Sequence, residues 1–98
     1  MVQNIPTQEE ALLIYLQNQI NQTDAKIIGI TQTLIRLEKD LEEAQSREAR
    51  MEWASLIDNE RLSLENYQFR LDFLQNQLEE LQSTIKDNMW YINKHNLV

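Results

Sequence analysis

The chain has 98 residues, a formal net charge of -7, no cysteine, one glycine and one proline. A chain this short allows a single domain with a small core, and so little glycine and proline argues against a fold with many tight turns. The absence of cysteine excludes disulfides, thiolate nucleophiles and cysteine-based metal sites; the acidic balance repels phosphate and anionic headgroups, so neither nucleic acid nor a membrane surface is expected as a partner.

Residues 1–6 read as an N-terminal arm. Thr7 stands three residues before Glu10, the spacing at which a hydroxyl and a carboxylate satisfy each other's backbone amides in a capping box. A first helix is therefore expected over residues 7–45. Along it runs a heptad seam, Leu13, Leu16, Ile20, Thr23, Ile27, Ile30, Leu34, Leu37, Leu41 and Ala44, at alternating spacings of three and four. Asn21, Gln22, Thr23 and Asp24 offer a break, but the seam crosses them without interruption. Gly29 lies off the seam and costs about 1 kcal/mol of helix propensity against alanine; it is either tolerated or marks a close approach of another backbone.

A second seam runs through Leu64, Tyr67, Leu71, Leu74, Leu78, Leu81, Ile85 and Ile92, with Asn88 where an apolar residue is due. The two seams differ in phase. The first, carried forward, places Ser55, Asp58, Leu62 and Glu65 in the core; the second, carried back, places Trp53, Ile57, Glu60 and Leu64 there. Ordinary coiled-coil discontinuities insert three or four residues and do not produce this offset, so a turn is predicted at residues 46–50, where both seams lose apolar residues. It leaves a second helix over residues 51–92 and a tail at 93–98; the C-terminal residues 89–98 are expected to fold over the open end and cover Ile5 and the cluster at residues 11–16, with a partner-binding tail as the alternative. The predicted fold is all-α, a long antiparallel helical hairpin of coiled-coil type assembled into a multi-helix bundle. The turn segment contains no Gly or Pro, so it has no local signature. Competing arrangements break the helix at Asp58 and Asn59, or leave one unbroken rod of about 130 Å.

Both helices carry more apolar surface than one seam covers. Ile14, Ile28 and Ile35 each follow a seam residue by one position, while Leu62, Phe69 and Phe73 lie on the side away from Leu64, Leu71 and Leu78. Trp53, Ala54, Leu56 and Ile57 add to this all-round character, and Trp90 and Tyr91 leave the seam. Ile14, Ile28, Ile35, Trp53, Leu62, Phe69, Phe73 and Trp90 are thus the candidate partner or oligomer interface, because aromatics and apolar helix faces dominate such contacts. The flanks of the second seam are mostly neutral, Gln68, Gln75, Gln77, Gln82, Ser63 and Thr84 with Arg70. Specificity is then expected from core shape and from Thr23, Glu60 and Asn88.

Catalytic signatures are missing. His95 stands near the C-terminus without metal-ligating neighbours, and no Gly-rich phosphate loop, His-Glu-x-x-His or calcium loop occurs. Glu38, Asp40, Glu42, Glu43, Glu48 and Glu52 read as a solvated, salt-bridged helix face. Neither catalytic residues nor a cofactor or metal site is expected. Trp53-Ala54-Ser55 near the middle of the chain resembles the Trp-x-Gly turn of small secreted helical hairpins of the WXG type, but Ser55 replaces the glycine and no functional residue carries over. The longest apolar run, residues 11–16, is too short to span a bilayer, and the N-terminus has no basic region followed by an apolar core. A cytoplasmic, non-catalytic interaction module is expected, a homo-oligomer with a dimer as first choice. The alternative is a small helical chaperone, inhibitor or adaptor that sequesters one protein through its aromatic patch.

Overall fold

A computed structural model describes the backbone of residues 7–96 and the side chains of residues 7–88. Helix α1 (Gln8–Glu43) and helix α2 (Arg47–Asn96) are joined by residues 44–46 and fold into a helical hairpin, with no strand among the described residues. The expected N-terminal arm and the side chains of the expected tail lie outside the described residues.

Helix α1 begins with the capping box. The Thr7 amide donates to Glu10 Oε2 at 3.4 Å, and the Glu10 amide donates to Thr7 Oγ1 at 3.1 Å. Glu9 and Glu10 also place negative charge beside the unpaired amides of the first turn. The helix continues through Asn21, Gln22, Thr23 and Asp24 because the seam on either side of them needs one uninterrupted face. Thr31 and Thr33 donate their hydroxyls to the carbonyls of Ile27 and Gly29, one turn back, so these poor helix formers are satisfied within the helix.

The seams are the buried faces. Every position from Leu13 to Ala44 in the first seam is buried or half-buried, as is every position from Trp53 to Ile85 in the second. Asn88 is exposed and donates from Nδ2 to Glu9 Oε1 at 3.3 Å. Contacts in a helix pair are local along its length, and here they divide the chain into two compact units, residues 22–71 and residues 1–21 with 72–98. In residues 22–71, Leu34, Leu37 and Ile57 form a buried cluster against which Ile30, Leu41, Trp53 and Leu64 pack. In residues 1–21 with 72–98, Leu16 and Leu74 are buried. Ile57, at 3% exposure, is the most enclosed apolar residue described, and no large side chain among the described residues is fully enclosed.

The turn lies slightly earlier than expected. Residues 47–50, placed in the turn from sequence, form the first turn of α2, because Ser46 acts as its N-cap. The Ala49 amide donates to Ser46 Oγ at 3.0 Å, and the Arg50 amide to the Ser46 carbonyl at 3.1 Å. Helix α1 closes with a tighter bond from the Ala44 amide to the Leu41 carbonyl at 3.2 Å. Arg50 Nε then donates to the Ala44 carbonyl at 3.1 Å, satisfying an acceptor that the end of α1 leaves open. No described residue has a positive φ, so the reversal needs no glycine. At its other end α2 continues to Asn96, through the first residues of the expected tail, while the competing break at Asp58 and Asn59 is absent from the continuous helix.

Two substitutions test this local account. Ser46→Ala should destabilise the hairpin by about 1 kcal/mol through loss of the cap, read as a lower urea midpoint. Gly29→Ala should stabilise it by up to about 1 kcal/mol, because an added Cβ meets nothing within 4 Å. A destabilising Gly29→Ala would instead mean that another chain's backbone packs against that position.

Candidate functional site

The candidate interface residues fall into two lines on the outside of the helices and one residue on the inside. On α1, Ile14, Ile28 and Ile35 are all exposed, Ile35 by 64%. Ile28 and Ile35 are seven residues apart and share a face, and the neighbouring Ala25, Gly29 and Gln32 carry no charge. On α2, Leu62 and Phe69 share a line about 10 Å apart along the helix, and Phe73 follows one turn after Phe69. Phe69 is 71% exposed, the most of any large apolar residue described, and Phe73 and Leu62 are exposed beside it. A folded monomer rarely presents large apolar side chains in such lines without a partner for them.

Trp53 is placed differently from the other candidates. It is half-buried and packs on the Leu34, Leu37 and Ile57 cluster within its own chain, because the second seam extends back to it in the phase that Leu64 sets. The side chain of Trp90 lies outside the described residues. Four exposed residues lie outside the candidate set: Leu12, Tyr15 and Met51, and Leu56, which was read only as part of the all-round apolar character near Trp53. Met51 opens the second helix expected from sequence, and Leu12 and Tyr15 belong to the longest apolar run, whose outward members periodicity alone separates from the seam.

The charged groups are arranged around these lines. Arg61 Nη2 meets Glu38 Oε1 at 3.1 Å across the hairpin, with both side chains more than half exposed, so the pair contributes at most about 1 kcal/mol. Both residues directly flank their seams and face each other as antiparallel packing requires. Arg61 lies one heptad before the neutral flank read from sequence. Along α2, Asp58, Glu65, Asp72 and Glu79 recur every seven residues, all exposed, and form one acidic line beside Leu62, Phe69 and Phe73. No group of three or more acidic or histidine side chains that could hold a metal ion occurs among the described residues. Thr23, at 4% exposure, is the one buried polar residue described, and no buried side-chain nitrogen or oxygen among the described residues lacks a hydrogen-bond partner. No described helix is long and apolar enough to cross a membrane.

No family model, curated protein or solved structure matches the chain. The site is therefore defined by its own geometry: two apolar lines on helix faces that the seam leaves uncovered.

The assignment of inside and outside has a direct check. Phe69→Ser should change the unfolding free energy by no more than about 0.5 kcal/mol, whereas Leu74→Ala should cost about 2–4 kcal/mol. Equilibrium urea unfolding, followed by circular dichroism at one protein concentration, measures both.

Proposed function

We propose that this chain is a non-catalytic interaction module: a helical hairpin that self-associates, with a dimer as first choice, or joins a larger complex by burying its outer apolar faces against partner helices. The observation that carries this reading is the exposure of Ile28, Ile35, Leu62, Phe69 and Phe73 outside a seam that is already complete within one chain. Burial of each such side chain is worth about 1.5–3 kcal/mol relative to water, so a few of them together supply a driving force for association. The α1 face is the better candidate for pairing with a second copy. Ile28 and Ile35 have the uncharged Ala25, Gly29 and Gln32 beside them, and the exposed charges at the margins of this face are of both signs, Asp24 and Glu38 with Arg36 and Lys39, so no line of one sign is set against itself. The proposed setting is the cytoplasm, which a cysteine-free composition suits.

A second reading, a small chaperone, inhibitor or adaptor, draws support from the aromatic character of the α2 face. Phe69 and Phe73 are the residue type that anchors hetero-interfaces, and this face is bordered by an acidic line, Asp58, Glu65, Asp72 and Glu79, whereas the charges beside the α1 face are of both signs.

Light scattering coupled to size exclusion over a concentration series tests the first reading. The native chain should show a dimer or higher assembly at high micromolar concentration. Ile28→Glu with Ile35→Glu should shift it to monomer with its helicity retained, and Phe69→Glu should leave the mass unchanged. A native chain that stays monomeric throughout would sink self-association and favour the second reading.

A further inference from the structure

The outer face of α2 combines aromatic anchors with a margin of one sign, whereas the charges beside the α1 face are mixed, Asp24 and Glu38 with Arg36 and Lys39. Leu62 and Phe69 lie on one line, exposed, with Phe73 one turn beyond Phe69 on the same continuous helix. Asp58, Glu65, Asp72 and Glu79 form a parallel line along one edge, with one carboxylate per two turns and no cation among them. On the opposite edge stand Ser63, Arg70, Gln77 and Thr84. An apolar stripe with an acidic margin on one side matches a helix whose own apolar stripe is bordered by lysine or arginine.

From this arrangement we propose that the outer face of α2 is a docking site for a basic amphipathic helix of another protein, with Phe69 and Phe73 as the apolar anchors and the line of carboxylates as the charge partner. The proposal rests on the interaction reading above and names the chemistry of one partner. A second copy of the chain fits this face poorly. Antiparallel two-fold pairing sets the acidic line against itself, and parallel pairing offers it a margin with one cation, Arg70. The overall charge of -7 acts in the same direction, raising the encounter rate with a basic partner and opposing a second acidic chain. The anchors also lie at the spacing that a docked helix reads. Leu62, Phe69 and Phe73 recur at seven and then four residues of one helix, the spacing of anchors in helix-to-helix recognition.

The test uses the full chain and two synthetic amphipathic peptides about three heptads long. They share one leucine stripe; one carries lysine at the flanking positions and the other glutamate. Titration calorimetry gives affinity, and backbone amide shifts locate the site. The lysine peptide should bind at least about tenfold more tightly than the glutamate peptide, with the largest shifts between residues 58 and 79 and with affinity falling as salt rises. Phe69→Ser should weaken it at least about tenfold, and Glu65→Lys with Asp72→Lys should do the same. Ile28→Glu should leave it unchanged. All these side chains are exposed, so unchanged circular dichroism establishes that the variants are folded. Equal binding of the two peptides, shifts centred on Ile28 and Ile35, or indifference to the charge reversal would overturn the proposal. The solution mass of Ile28→Glu reports self-association separately, so failure of docking and failure of assembly are told apart.

Discussion

Two α-helices packed side by side enclose only the stripe that each presents to the other. In this chain the stripe is set by Leu34, Leu37 and Ile57, with Ile30, Leu41, Trp53 and Leu64 against them, and the remaining features follow from how much it leaves uncovered. Each helix needs the opposite seam, because a stretch of isolated helix gains little from propensity alone. Neither helix can turn its wider apolar face inward without exposing that seam. The isoleucines of α1 and the phenylalanines of α2 are outside because the inside is already occupied. Exposure here results from geometric exclusion and not from loose packing.

The turn shows the same economy of means. A reversal after Glu43 leaves carbonyls at the end of α1 and amides at the start of α2 without helical partners. Ser46 takes one of the amides, and Arg50 reaches back to the Ala44 carbonyl. No left-handed residue is involved. Helix-forming residues can thus surround a break when one hydroxyl and one guanidinium supply the missing partners. Across the hairpin, Arg61 with Glu38 and Asn88 with Glu9 add polar contacts at exposed positions, where their net energy is small but their pairing fits only the antiparallel register.

Much of the fold was legible in the sequence because heptad spacing is a geometric signal. The seam from Leu13 to Ala44 and that from Trp53 to Ile85 correspond to the buried and half-buried positions, and the Thr7 and Glu10 spacing gave the start of α1. The turn was located to within a few residues by the change of phase, but not its boundaries. Ser46 as a cap is recognisable only once the helix start is known, and the Arg50 contact is tertiary. Of the candidate site, Ile14, Ile28, Ile35, Leu62, Phe69 and Phe73 could be read as off-seam residues. Trp53 could be read two ways, as a core position of the second seam carried back and as part of the surplus apolar surface, and in the structure it packs on the Leu34, Leu37 and Ile57 cluster. Leu12, Tyr15 and Met51 do not stand out in the sequence, because apolar residues outside a seam are ambiguous until the helix is placed. The acidic line beside Phe69 was legible all along, as a seven-residue repeat of Asp58, Glu65, Asp72 and Glu79. It acquires meaning only beside an exposed apolar stripe.

The measurement that bears most directly on this account is hydroxyl-radical footprinting of the dilute, monomeric chain, read residue by residue by mass spectrometry. Phe69, Phe73 and Ile35 should be oxidised at rates near those of the unfolded chain, while Ile57, Leu74 and Leu37 should be strongly protected. Protection of Phe69 and Phe73 in the monomer, or labelling of Ile57 as fast as Phe69, would contradict a seam that is complete within one chain and apolar faces left free for a partner.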